Sequence, residues 1–455
     1  MERGVMTSAV EAPAGCPQCS ADVVVDVGYS PWCANCGWNL DPYPPTPSIG
    51  QSARAAKGSA TRLAELDSSF TAAAGGGRGP AHRQVLAIAT AIAVHTVTLS
   101  ILAAAIWIGW ASTLATFVRW PLGLLMAAVA LFVAPRRTRV PRRTRLLRDQ
   151  APHLWALIDH VAASAQCPPA AAVVVTDGFG TASALVGWRR RRVLNFGREQ
   201  WFTVGPAERV ACIAEELASG RSRHLSPLAG GALSSLYNWL MLLQRTKDGR
   251  ARRGMNTPLS RERVGDDVSG IRPIPRTGGL LLGGGRGFFA NQMREHQVSS
   301  AAGAGFWNLL IRPLRWLAAR AASQLLQAQA LRAAPDIVRA DRAAATVAST
   351  AAAVELLEHS SLGAVVAAWE WRNLSQRRQP DWADLRTTLD AVPAHQRERL
   401  RRLARARGER TEPQYPATAL RIDALRAAPA AAGTVYLSDS DDSAITAELS
   451  AASRS

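Results

Sequence analysis

Two uninterrupted apolar runs dominate the hydrophobic pattern of the chain. The first, residues 85–110, contains no charged side chain and ends in a pair of tryptophans. At about 1.5 Å per residue it can cross the roughly 30 Å hydrocarbon core of a bilayer with some tilt. The second, residues 120–134, is shorter and is extended by two apolar residues if Arg119 snorkels outward. We therefore predict a transmembrane helical hairpin over residues 84–135.

Helical and strand patterns alternate in the chain after this hairpin. Residues 152–166 carry apolar side chains at helical spacing, residues 172–176 (AVVVT) are typical of a strand, and a basic turn introduces a further strand at residues 193–197. Residues 306–326 are amphipathic and either lie in the membrane interface or pack as a core helix. The pattern predicts an α+β fold that is mainly helical and contains a small β-hairpin.

Two segments lack such periodicity. Residues 41–83 are rich in Pro, Ser, Ala and Gly and are predicted to be a flexible linker, with at most a short helix over residues 61–73. Residues 246–305 contain arginine- and glycine-rich stretches and are predicted to be a flexible insertion. This insertion divides one domain into two halves, residues 145–245 and 306–449.

Charge gives the hairpin an orientation. The net charge is +18 and comes almost entirely from arginine. Two arginines precede the first apolar run and seven lie within residues 136–148, whereas only Arg119 lies between the runs. The positive-inside rule then predicts a multi-pass protein of a bacterial plasma membrane with both termini in the cytoplasm. The lipid bilayer is the first predicted partner, and nucleic acid is an unfavoured one because the densest arginines flank the membrane.

Four of the six cysteines form two close pairs near the N-terminus. Cys16 and Cys19 make one C-x2-C knuckle, Cys33 and Cys36 make another, and 13 residues separate them. Four thiolates satisfy a tetrahedral zinc ion and leave no open position, so residues 1–40 are predicted to be a structural zinc ribbon. A short β-type run within it brings the knuckles together. Coincidental cysteines or a redox pair remain the alternatives.

Three short segments of the remaining chain carry the candidate chemistry. They read AEELAS (residues 214–219) in a helix entered by a Pro-x-Glu turn, DIVRAD (336–341) and PATALRI (416–422). With the membrane hairpin, helix, strand and β-hairpin that precede them, they resemble the HtpX-like, CAAX-prenyl-protease-type family of integral membrane zinc metallopeptidases. The resemblance covers roughly residues 145–449 and implies a zincin-like peptidase domain.

The resemblance also assigns roles by position, and the chain departs from most of them. Glu215, Ser219 and Ile337 occupy the three positions where the family has metal ligands. Glu216 occupies the general-base position, and Asp341 that of the acid beside the ligands. One carboxylate cannot replace three zinc ligands, so no catalytic zinc is expected. Without it, no bound water is acidified and no scissile carbonyl is polarised.

These departures favour a catalytically inactive pseudopeptidase, anchored in the membrane, with a binding or regulatory role toward a protein or peptide. Two alternatives stay open: an active zinc metalloendopeptidase with atypical ligands, and a zinc-ribbon adaptor at the membrane. An inactive centre still needs a cation beside its two adjacent glutamates. We expect one of them to pair with an arginine, the candidates being Arg221, Arg223, Arg339 and Arg342.

Overall fold

A computed structural model describes residues 15–26, 29–42, 53–77, 81–113, 115–135, 145–176, 181–186, 191–219, 226–244, 306–376, 382–411 and 415–451. The expected insertion over residues 246–305 lies outside these ranges, as do Arg221 and Arg223.

The described chain is mainly helical with one small mixed sheet, which confirms the coarse prediction of the fold class. Its helices are α1 (Ala53–Ala74), α2 (Ala81–Ala111), α3 (Thr116–Val133), α4 (Pro152–Ser164), α5 (Arg198–Thr203), α6 (Pro206–Ala218), α7 (Pro227–Gln244), α8 (Phe306–Val347), α9 (Thr350–His359), α10 (Gly363–Ser375), α11 (Trp382–Asp390), α12 (Ala394–Arg407), α13 (Thr418–Ala427) and α14 (Asp439–Ala451). Its strands are β1 (Arg145–Leu146), β2 (Ala172–Thr176), β3 (Ala182–Val186) and β4 (Arg191–Gly197).

The sheet has the order β1-β2-β4-β3. Strands β2 and β4 run parallel, whereas β3 and β4 form the antiparallel pair that the hairpin pattern predicts. The parallel pair is buried and rich in β-branched and aromatic residues, as such strands usually are. Leu194 and Phe196 join Ile158 of α4 and Ile213 of α6 in the largest hydrophobic core. The sheet therefore fixes the position of α6.

Helices α2 and α3 form the hairpin, and the segments His82–Ala111 and Thr116–Val133 are long and apolar enough to cross a membrane. Their outer faces expose large apolar side chains such as Leu99 and Leu124. Their inner faces approach closely at Gly123, where a Cβ atom would lie 3.1 Å from the Ala105 carbonyl oxygen. Small residues allow such close packing between membrane helices.

Helices α7 and α8 pack against the hairpin. Ala91 of α2 shares an apolar cluster with Leu236 of α7 and Leu325 of α8. His95 Nε2 donates to the Leu228 carbonyl oxygen at 3.0 Å, so its partner belongs to α7. The amphipathic part of α8 combines both expected behaviours, because Ala322 and Leu325 face this cluster whereas Leu314, Trp316 and Leu317 are exposed.

The segment expected to be a flexible linker contains a docked helix. Leu66 and Phe70, spaced one turn apart on α1, are buried. Glu65 forms an ion pair with Arg83, and Asp67 forms one with Arg410 at 2.7 Å. The prediction of a flexible linker over residues 41–83 is therefore wrong for α1. The alanine-rich composition of this segment gave no indication that it has an apolar face, or that two of its acids pair with arginines far away in the sequence.

The acidic C-terminal segment forms the last helix described, α14, and is also docked. Glu448 of α14 accepts hydrogen bonds from the first two free amides of α4, those of His153 and Leu154, at 2.9 and 3.0 Å. A carboxylate at a helix N-terminus satisfies unpaired amides and the helix dipole. Asp442 pairs with the buried guanidinium of Arg209 in α6. Helix α14 thus holds α4 and α6 together.

Candidate functional site

Helix α6 carries the AEELAS motif and is fixed at both ends. At its start, Glu208 Oε2 accepts a hydrogen bond from the Gly205 amide at 2.9 Å, which is half of a capping box. At its end, Arg192 of β4 donates to the carbonyl oxygens of Glu216 and Ser219, both at 2.7 Å, and to that of Leu217. A cationic donor at a C-terminus satisfies carbonyls that the helix leaves free. The helix therefore stops at Ala218.

A charge centre made of Glu215, Asp341 and Arg421 lies beside the last turn of α6. Arg421 donates from Nη2 to Glu215 Oε1 at 2.7 Å and from Nε to Asp341 Oδ2 at 3.0 Å, and Nη2 also contacts Asp341 Oδ1. The side chain of Arg421 is 1% exposed, that of Asp341 5% and that of Glu215 14%. Each of the three quoted motif segments thus contributes one member.

Further contacts hold the guanidinium of Arg421 in place. Its Nη1 donates to Thr411 Oγ1 at 3.3 Å, and its centre lies 5.8 Å from the ring centroid of Tyr415. A buried arginine is favoured where several acceptors take its hydrogen bonds and an aromatic ring lies near its guanidinium. The guanidinium is therefore an integral part of the packing.

The other motif positions have quite different surroundings. Ser219 is fully buried, and its hydroxyl donates to the Glu216 carbonyl oxygen at 2.7 Å and lies 3.1 Å from Ser183 Oγ on β3. Glu216, one residue after Glu215, is also buried. Ile337 is 1% exposed and packs in an apolar cluster with Phe70 and Val338. The structure thus brings Glu215 and Asp341 together through Arg421, whereas Ile337 is a core residue.

Of the four arginines expected beside the glutamates, Arg339 and Arg342 are described and have other contacts. Arg339 pairs with Asp336 at 2.7 Å, one turn away on the exposed side of α8. Arg342 donates to the Ala74 carbonyl oxygen at the end of α1. The partner is Arg421, which the PATALRI segment contained. The resemblance of this segment to a turn of the metallopeptidase family was the signal that could have identified it.

The charge centre has a clear chemical consequence. Arginine keeps its positive charge in proteins, so it offsets the two carboxylates without a metal ion. A cation bound to Glu215 would have to displace or lie beside this guanidinium. Among the three positions where the resemblance implies metal ligands, only Glu215 offers an anionic ligand atom, because Ser219 carries a hydroxyl and Ile337 carries no donor atom. This arrangement does not fit the tetrahedral zinc site of a metallopeptidase.

The four N-terminal cysteines form a second candidate site. All four Sγ atoms lie within 4.8 Å of one another, with 3.5 Å between Cys16 and Cys36 and 3.6 Å between Cys19 and Cys33. The backbone N–H of Ala21 lowers the pKa of Cys19 to about 6, which favours its thiolate, whereas burial raises the pKa of the Cys36 thiol to about 12. Thiolates are the form that binds metals. These residues could hold a metal ion. The expected strand between the knuckles is absent from the described residues, since residues 21–26 form none.

In comparisons with known proteins, no family model, no curated protein and no solved structure matches this chain.

Proposed function

We propose that this chain is a membrane-anchored, HtpX-like metallopeptidase relative that no longer cleaves peptide bonds and acts by binding or regulating a protein or peptide. The observation that carries the proposal is the contact of Arg421 with both Glu215 and Asp341. In the family frame, Glu215 stands where the first metal-binding histidine would be. The guanidinium of Arg421, which is permanently charged, binds the Glu215 carboxylate instead.

The energetics of burial support this interpretation. Two buried carboxylates without a counter-charge would be costly, and a peptidase meets that cost with its metal. Here Arg421 meets it with hydrogen bonds to both partners. The general-base position, Glu216, has then no metal-bound water to deprotonate. An active enzyme with atypical ligands would need a zinc ion where this guanidinium lies.

We assign zinc to the four cysteines as the second part of the proposal. Tetrahedral Zn–S bonds of about 2.3 Å require sulfur atoms about 3.8 Å apart, close to the separations of 3.5 and 3.6 Å. Four thiolates leave no open position, so this zinc would be structural.

Metal content and peptidase activity test both parts on the full chain in lipid nanodiscs. We expect one zinc per chain, essentially none in Cys16→Ser/Cys33→Ser, and no cleavage of an unfolded protein substrate by either. Glu216→Gln should equal the wild type in this assay. If zinc persists stoichiometrically in the cysteine variant, and wild-type cleavage disappears in Glu216→Gln, the chain is an active enzyme with atypical ligands.

The proposed topology places both termini in the cytoplasm and the loop between α2 and α3 outside. Thr113, in this loop, is exposed, as is Ser440 at the start of α14. A cysteine replacing Thr113 should react with a membrane-impermeant maleimide in intact cells, and one replacing Ser440 only after permeabilisation. The reverse labelling pattern would show the opposite orientation.

A further inference from the structure

Helix α12 is unusually basic and has one covered face. Six of its 14 residues are arginines, and Glu398 is its only acid. The ribbon segment, which comprises residues 15–26 and 29–42, lies against this helix. A helix with so many like charges is normally solvated. A face of such a helix that is covered by another segment needs acceptors for its arginines.

The ribbon segment offers mainly backbone carbonyl groups. Arg399 donates to the carbonyl oxygens of Ser30 at 3.1 Å, Leu40 at 3.2 Å and Asn39 at 3.4 Å. Arg402 donates to that of Ala34. Two arginines thus bind four carbonyl oxygens of the loop that carries the second cysteine knuckle. This binding depends on the shape of that loop.

Trp32 anchors the same contact. Its side chain is fully buried, stacks on His395 at 4.6 Å between ring centroids, and lies 5.4 Å from the guanidinium of Arg402. Buried aromatic residues of this kind dominate the energy of interfaces. Trp32 precedes Cys33 directly, so a metal ligand and the anchor share one peptide unit.

Two side-chain pairs complete the interface at its edges. Gln396 donates to Asp26 at 2.9 Å, and Arg407 pairs with Asp41 through two hydrogen bonds of 2.9 and 2.6 Å. Together the contacts extend from the start to the end of α12.

The shape that α12 recognises depends on the cysteine knuckle. The Cys33 amide bonds to the Trp38 carbonyl oxygen at 3.0 Å, and Gly37, in the left-handed region with φ of 76°, bonds back to the Cys33 carbonyl oxygen at 2.9 Å. Within its described residues the ribbon segment has no helix or strand, and its buried apolar residues are Cys16, Trp32 and Cys33. A segment this small needs a metal to stay folded.

We propose that the ribbon segment and α12 form a metal-dependent latch. Metal bound to the four cysteines fixes the loop that Arg399 and Arg402 recognise, and the latch is closed. Loss of the metal unfolds the knuckle, removes Trp32 from α12 and exposes the guanidinium of Arg399, which is partly covered in the closed latch, whereas Arg402 is already exposed. The metal site thereby controls how much positive charge the domain presents. The latch rests on the metal site and is independent of whether the charge centre is catalytic.

Thermodynamic linkage makes the latch testable without altering a metal ligand. If metal binding strengthens docking, docking must strengthen metal binding by the same factor. Such couplings are typically about 5- to 150-fold. Arg399→Ala/Arg402→Ala should therefore lower the zinc affinity of the cysteines by at least about fivefold. Arg405→Ala is the matched control, because Arg405 lies on the same helix but pairs with Asp423.

The affinity is measured on the full chain in nanodiscs by competition with a chromogenic zinc chelator. A second measurement uses the wild type alone. An arginine-specific dicarbonyl reagent, read out by mass spectrometry, should modify Arg399 several-fold faster after zinc is removed, with Arg405 unchanged. This measurement tests the latch even if the double variant fails to fold.

The outcomes separate the latch from the metal site itself. A wild type that binds no metal ion would refute the metal site. Equal zinc affinity in the folded double variant, or unchanged modification of Arg399 after zinc removal, would refute the latch and leave the metal site intact. Faster modification of Arg399 together with weaker zinc binding in the double variant would establish it.

Discussion

The charge centre and the contact between the ribbon segment and α12 both depend on arginine, but the two arginines face different acceptors. Arg421 is buried between the carboxylates of Glu215 and Asp341, whereas Arg399 is directed at three backbone carbonyl groups. A carboxylate keeps its charge whatever its loop does. Carbonyl groups converge on one guanidinium only while their loop keeps its shape. Arginine thus pairs with acidic side chains in one region and, in the latch that we propose, depends on a metal in the other.

The largest expected effect comes from removing the cation of the charge centre. Arg421→Met keeps the length of the side chain but leaves Glu215 and Asp341 buried without their counter-charge. Breaking a buried pair in this way costs about 3–5 kcal/mol. Chemical denaturation of the domain in detergent micelles should show a loss of this size, with the zinc content of the cysteines unchanged.

A triple variant serves as the control for that experiment. Glu215→Met/Asp341→Leu/Arg421→Met removes both acids together with the cation, and apolar replacements of buried ion pairs are often neutral. It should be more stable than Arg421→Met alone. A triple variant that is less stable than Arg421→Met would show that Arg421 does not stabilise the fold by balancing the charges of Glu215 and Asp341.

The same contrast explains what the sequence could predict. The cysteine knuckles and the two apolar runs are local patterns, and the structure brings the four sulfur atoms together and forms both helices. Residues that are close in sequence are constrained to be close in space, so spacing alone was sufficient. The coarse fold followed in the same way from helical and strand periodicity.

The charge centre and the docking of α1 could not be derived in this way. Glu215 and Arg421 are 206 residues apart, and Asp67 and Arg410 are 343 apart. In an arginine-rich chain, many cations are equally plausible partners for one glutamate. The prediction included Arg339 and Arg342 because their segment was expected to pack against α6, but Arg339 pairs with Asp336 one turn away on its own helix.

Acid should destabilise the fold through a histidine that lies outside both regions. His359, at the end of α9, lies 3.9 Å from Glu208 and has its pKa lowered from 6.5 to about 4, mainly by burial and further by Arg397. The unfolded chain therefore takes up a proton below about pH 6.5 that the folded chain refuses until about pH 4. Stability should fall across this window by about 3 kcal/mol. Denaturation curves between pH 7 and 4 measure this slope.

Two variants isolate the contribution of His359. His359→Gln should flatten the slope without changing the pH at which the cysteines release metal, since that release depends on thiolate protonation. Burial raises the pKa of Glu208, which contributes the opposite sign, so Glu208→Gln should steepen the slope. An unaltered slope in His359→Gln would assign the acid sensitivity to other groups.

The smallest effect is expected for an arginine whose surroundings resemble neither region. Arg405 of α12 forms two hydrogen bonds with Asp423, of 3.0 and 2.8 Å, a geometry as good as that of Arg421 with its acids. Both partners are about half exposed, however, so water competes for the charges. Exposed pairs contribute less than about 1 kcal/mol. Arg405→Ala should therefore lower stability by less than this amount, and a salt titration should diminish the small difference further. A loss comparable to that of Arg421→Met would show that hydrogen-bond geometry, and not burial, sets the contribution of arginine in this protein.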